Sequence, residues 1–551
     1  MAVLVSVVLL GACSPLFVPG DAQETCIVSQ SEFEGWFESG SVTLDGVVEA
    51  ADSVNFPDDP NCTFFKWTEQ MYLWLTSPAP PRYGGGGGII LDSPEFYDVS
   101  PPDANNKRTF IPHTSGDVRV FSIRDAQLGA HRLPLVTDSS GKVFEVVEPV
   151  LAPSGLQLIR NAEGERVEIE RAILGEDGRP QFFDRGGEII RGARPIIDRD
   201  LLDQAVVQPF TIAREHTIFL STAGNVIDVE QGQAGGGDVL MTQNGSLVYY
   251  LTTVNNVFAY FRTGVANGDI TPTLNEFPTE QQDLDEIINF AAQHGKTLLD
   301  PEALAIEVKS SWIEASTLAD TSGYITIQAT IPTYNQSDPQ KWTVNGQKTV
   351  EMAMVGIHVV GSTKGHPEML WGTFEHVRST PNATYSYNDQ GNNTKTISQD
   401  TSGVWLFSQS NATGPFNQSR MRMIPGSHDI EAFPGFTIGP TDIIRWKAWG
   451  SAFSNASINT EVIAINNSVR GKLAAGDVRA NYVQTGTTWT IFGQAPSGGN
   501  QVGTHHLANT TMETFQQGIS NMANGTNCFS CHITNKTSVS HVFGSIDPLF
   551  P

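Results

Sequence analysis

Cys528-Phe529-Ser530-Cys531-His532 is the one stretch whose residue types and spacing point to a defined chemistry. Two thiols three positions apart share one side of a helical turn, and a histidine follows at once. That is the signature of c-type haem attachment: each thiol adds to one porphyrin vinyl group and the adjacent imidazole ligates the iron. Zinc would need two further ligands of matching spacing, and no second Cys-x-x-Cys pair exists. A thioredoxin-like motif would open a long helix inside a βαβ unit, which is not the setting here. One motif implies one covalent haem c, held by Cys528, Cys531 and proximal His532. The second axial position has His541 as first candidate and Met512 or Met522 as alternatives, with an open or water-filled site as the third option. The adjacent pair His505-His506 reads as exposed loop.

The other three cysteines each have a place. Met1–Cys13 is an apolar run ending Leu10-Gly11-Ala12-Cys13. It resembles a bacterial lipoprotein leader, though no Lys or Arg precedes it, and it implies export with lipidation at Cys13. In an oxidising compartment Cys26 and Cys62 are then a disulfide pair. The expected location is the bacterial cell envelope: the periplasm, or the outer membrane as an anchored lipoprotein.

The elements that position these residues follow from composition and pattern. With 551 residues, 39% hydrophobic, the chain can bury sizeable cores. Its net charge of -26 repels phosphate backbones, so no nucleic-acid partner is expected. No apolar run reaches the ~18 residues of a spanning helix, leaving a lipid anchor as the only membrane attachment. The expected segments are 1–22 as leader, 23–83 helical, 84–275 and 276–490 as two β-rich regions, and 491–551 as the haem-binding tail. Phe64, Trp67, Met71 and Trp74 predict a helix over Phe64–Thr76, and Leu284, Ile287, Ile288 and Ala291 one over Gln281–His294. The Pro78–Pro81 and Gly84–Gly88 clusters read as a linker. Turn signals from Ser140-Gly141 to Gly186-Gly187, and Asn244-Gly245, predict hairpins. Tyr324–Ile331 and Val355–Val359 alternate as strands, with His358 on the face opposite Val355, Ile357 and Val359. Thr510–Gln517 predicts a helix capped by Asn509 or Thr510, and Ser538–Phe543 a short strand. The fold class is α+β, mainly β: a body of sandwich- or barrel-like sheets with N-terminal helices, and a C-terminal haem segment docked on it.

Glu307–Trp312, Trp371–Val377 with Pro381-Asn382, and Leu507–Phe515 followed by the Cys528–His532 motif are similar to segments of a family of uncharacterised, exported bacterial monohaem cytochrome-c-like proteins. That resemblance covers most of the chain and implies a secreted single-haem protein. Alternation in Leu370–Val377 puts Trp371, Thr373 and Glu375 on one face and Phe374 and His376 on the other. Either Glu375 or His376 handles protons in a distal pocket, or this is a core strand whose polar groups are satisfied within the protein. Trp371 or Phe374 is expected to wall the haem. Two function classes result. One is an electron carrier working with a redox partner protein. The other is a haem-dependent oxidoreductase of the oxidase or peroxidase type, taking a small-molecule substrate into the β body. A binding module with structural haem is a third reading.

Overall fold

Strand makes up 31% of the chain and helix 20%, a mainly β fold of antiparallel sheets with a few helices. The computed structural model describes residues 18–551 apart from 58–60, 85–87, 104–106, 114–117, 124–134, 139–142, 148, 175–179, 199–200, 202–205, 213–215, 225, 228, 231–237, 425–426, 434, 452–454, 498, 518–526 and 533. Cys13 and most of the leader, Met522, the middle of the glycine run and the Ser140-Gly141 turn therefore lie outside the described residues.

The site depends on one large sheet. Among its twelve strands are β1 (Phe96–Val99), β2 (Phe110–Pro112), β3 (Tyr249–Asn255), β4 (Ile306–Glu314), β5 (Thr326–Asn335), β6 (Lys341–Thr363), β7 (His366–His376), β8 (Tyr482–Thr490) and β9 (Gln501–Gly503). The spatial order is β2-β1-β3-β4-β6-β7-β8-β9, antiparallel throughout, with β5 paired to the first half of β6. Strands from both predicted β-rich regions thus share this sheet. The second half of β6 is almost wholly buried, as a β-branched run covered on both faces should be. Six short strands between Leu135 and Glu230 form a separate sheet, and in a two-stranded sheet of its own Leu158–Arg160 pairs with Arg166–Glu168 across the expected Glu163-Gly164 turn.

Six helices complete the described chain: α1 (Gln30–Gly35), α2 (Asn61–Leu75), α3 (Asn256–Asn267), α4 (Gln281–Gln293), α5 (Ala456–Arg470) and α6 (Cys528–Cys531). None is long and apolar enough to cross a membrane. The Cys26–Cys62 disulfide forms, with Cα atoms 5.2 Å apart, and ties the start of α2 to the N-terminal segment. By loop length it restricts the unfolded chain by about 4 kcal/mol. One face of the large sheet packs Ile357, Val359, Leu370 and Phe374 into a core with Trp67 and Tyr72 of α2; Tyr72 stacks on Phe374 at 4.2 Å. The residues between them on these strands point to the other face, where the tail lies. Gly356 of β6 permits that contact: a Cβ there would stand 2.2 Å from Thr511 Oγ1.

Four expectations are corrected. α3 and α5 lie where β texture was expected. Thr510–Gln517 is a series of turns, although Asn509 Oδ1 does accept from the Thr511 and Met512 amides like a cap. The β-branched Thr510, Thr511 and Thr514 disfavour helix, and their hydroxyls are engaged in hydrogen bonds, two of them with Glu375 and Ser311 of the sheet. Ser538–Phe543 is not a strand either; it belongs to two 3-10 turns, Thr537–Val539 and Phe543–Ser545, that press Val539 and Phe543 into a core with α3 and α4.

Candidate functional site

The site is read off the register of the sheet. Glu307, Val360 and Trp371 are cross-strand neighbours on β4, β6 and β7; Lys309, His358 and Thr373 form the next row, and Ser311, Gly356 and Glu375 the third. All three rows face the tail. The third row clamps it. Glu375, fully buried, accepts from the Thr510 amide at 2.8 Å and from the Thr510 hydroxyl. Arg445 reaches the same carboxylate at 2.8 Å while donating to Ala508 O at 3.0 Å and Asn382 Oδ1 at 2.6 Å. Glu375 therefore holds an ion pair and a docked loop, which is the satisfied-core reading of this strand.

The first row carries the motif. α6 is a single turn, and the His532 amide closes it on Cys528 O at 3.0 Å. His532 is buried with its Nδ1 2.5 Å from Val539 O. A carbonyl only accepts, so Nδ1 carries the hydrogen and Nε2 the lone pair. Burial, then the neighbouring His541, push the His532 pKa well below the ordinary histidine value, keeping the ring neutral. Trp371 lies 4.0 Å from the ring and His541 4.1 Å from it, the latter nearly parallel at 18°. Phe374, the other expected wall, is on the α2 face.

His541 is thus a flank of His532. Two axial ligands stand on opposite sides of a metal with about 4 Å between their nitrogens, each bond being about 2 Å. Rings stacked at 4.1 Å leave no place for an ion between them. Met512 is buried in an apolar cluster with Tyr250, Ala353 and Phe407.

Between the rows and the tail is a small cavity. Trp371, Val360 and Leu507 give it apolar walls; Cys528, His358, His506 and Glu513 also line it. His358 Nε2 lies 3.2 Å from Glu513 Oε1, and Glu513 Oε2 accepts from the Asn509 amide at 3.1 Å. Compared with protein-family models, curated proteins and solved structures, the chain matches none. The lining residues His358, His506 and Glu513 were not chosen from sequence. Alternation did place His358 opposite its apolar neighbours, but nothing in sequence joins it to Glu513.

His376 does not reach the cavity. Its Nε2 meets Gly323 O at 3.2 Å, its Nδ1 accepts from the Arg378 amide at 3.2 Å, and its ring stacks on Tyr324 at 3.9 Å. Burial lowers its pKa from 6.5 to about 3. Between those values the unfolded chain binds a proton that the folded chain refuses, so stability falls as pH drops through 6.5 towards 3. Replacing His376→Gln should remove this part of the pH dependence. Urea midpoints at pH 7 and pH 4 test it: the drop should be smaller in the variant, and an equal drop would exclude His376 as a source.

Proposed function

We propose that the chain is an exported monohaem c-type protein that serves electron transfer or another haem-dependent redox function at the bacterial cell envelope, anchored there through Cys13. The observation that carries this is the state of His532. Its Nδ1 is committed to a backbone carbonyl, and a ligating histidine characteristically gives its second nitrogen to such a partner. Cys528 opens on the adjoining cavity. A haem brings four nitrogens of its own and asks the protein for only one or two, so no larger donor cluster is required. Among the described residues no group of three or more His, Cys, Asp or Glu could hold a bare ion.

Cys528 and Cys531 would hold the haem as thioethers, each thiol giving its sulfur to one carbon of a vinyl group and its hydrogen to the other. When bound, the haem supplies one-electron chemistry at iron. His532, with its Nδ1 on Val539 O and its lone pair on Nε2, would hold the iron, and Trp371, Val360 and Leu507 give the adjoining cavity apolar walls. A haem-dependent oxidoreductase is the second reading, favoured by the His358–Glu513 pair on that cavity.

The test is the full chain matured in a host with c-type haem machinery. The expected result is a haem α band that stays with the polypeptide through acidified organic solvent. Protein without haem, or haem that is extracted, would overturn the proposal.

A further inference from the structure

We propose that Glu307 of β4 is a positioning residue for His532, acting through Ser540: it fixes the carbonyl that takes the His532 Nδ1 hydrogen and so leaves Nε2 as the nitrogen offered to the haem iron. The iron in that statement rests on the haem reading above; the relay of hydrogen bonds does not. Glu307 Oε2 accepts from the Ser540 hydroxyl at 2.6 Å. Ser540 Oγ in turn accepts from the Phe543 amide at 3.2 Å, and its single hydrogen goes to the carboxylate. Val539 O, 2.5 Å from His532 Nδ1, belongs to the peptide that joins Val539 to Ser540. A peptide unit is planar, so anchoring its Ser540 end sets the direction of the carbonyl.

The anchor is held by the sheet. Glu307 lies between Val254 of β3 and Val360 of β6, in the same row as Trp371. That row therefore serves His532 twice: Trp371 packs against its ring, and Glu307 holds the turn that accepts its hydrogen. Val539 and Phe543 keep this turn on the body through their core contacts with α3 and α4, but apolar burial has no direction. The Ser540–Glu307 hydrogen bond has one, and Ser540 is buried, so water does not compete for its hydroxyl. His541, stacked on His532, follows Ser540 directly and takes its place from the same anchor.

The first test uses the haem-free full chain with isotope-labelled histidine, the His532 signals being assigned by their loss in His532→Gln. Nuclear magnetic resonance should show wild-type His532 with its hydrogen on Nδ1 and none on Nε2. Ser540→Ala and Glu307→Ala should both lose this fixed tautomer and give a mixture. Glu307→Gln keeps an acceptor oxygen and should retain it. Ser540→Ala removes one oxygen atom and reads the relay even if Glu307→Ala fails to fold. The second test measures reduction potentials of haem-loaded chains, with a pyridine haemochrome assay for attached haem. The alanine variants should have raised potentials, because an imidazole without its Nδ1 partner donates less to ferric iron, and Glu307→Gln should match wild type. A wild-type hydrogen on Nε2, a tautomer unchanged in Ser540→Ala, or a loss in Glu307→Gln equal to that in Glu307→Ala overturns the assignment. Potentials unchanged in both alanine variants overturn the part that concerns iron. Absence of haem from wild type ends the haem reading, while the tautomer result still decides this one.

Discussion

Replacing Arg445→Met is expected to destabilise the protein by about 3–5 kcal/mol, the cost of leaving one charge of a buried pair without its partner. Glu375 would keep only its Thr510 contacts at a site with no solvent, and Asn382 and Ala508 would lose a donor. The same change loosens the tail, since Ala508 and Thr510 belong to it. Urea denaturation should therefore show a lower midpoint, and the Cys528 thiol of haem-free protein should react faster with a thiol reagent. The double change Arg445→Met with Glu375→Gln should recover much of the loss, because both charges then disappear. A loss below about 1 kcal/mol in the single variant, or none recovered in the double, would refute the role given to this pair.

Changing Cys528→Ala and Cys531→Ala together is expected to abolish solvent-resistant haem. Either single change should leave one thioether and one intact vinyl group, whose conjugation moves the haemochrome α band to longer wavelength. The thiols belong to one helical turn that ends at His532, so the pair and the ligand act as a unit. Resistant haem in the double variant would mean attachment elsewhere and would remove the motif from the account.

Much of the fold could be read from pattern because the relevant elements have one wet and one dry face. α4 shows it: Leu284, Ile287 and Ala291 are buried and the first-turn Asp283 is not. In the second half of β6, buried on both faces, the alternation is still legible because the polar His358 is turned away from Ile357 and Val359. α3 was misread because Val257 to Phe261 are all buried, which erases the helical period. α5 has the same fault in another form: its Asn459, Thr460 and Asn466 are buried among β-branched Val462, Ile463 and Ile465, so neither propensity nor a polar face marks it. The Cys528–His532 motif was legible because its three residues fall within five consecutive positions. The rest of the site was not, since Glu375–Arg445 and His358–Glu513 exist only through sheet register and the path of the tail. The Asn509 cap was real as chemistry and misleading as secondary structure.

The rings on either side of His532 have a consequence for motion. At 4.0 Å and 4.1 Å, Trp371 and His541 cannot share one face of the imidazole, so they hold it from both. Turning it about its Cβ–Cγ bond would displace a buried hydrogen bond and at least one neighbouring ring. The rotational entropy of that side chain is consequently lost on folding, before any ligand arrives. Its azimuth is inherited from a β-strand on one side and an exposed loop histidine on the other. A donor nitrogen whose angle cannot drift imposes one orientation on whatever it binds, and a population of such molecules is uniform where a freely turning ring would give a spread.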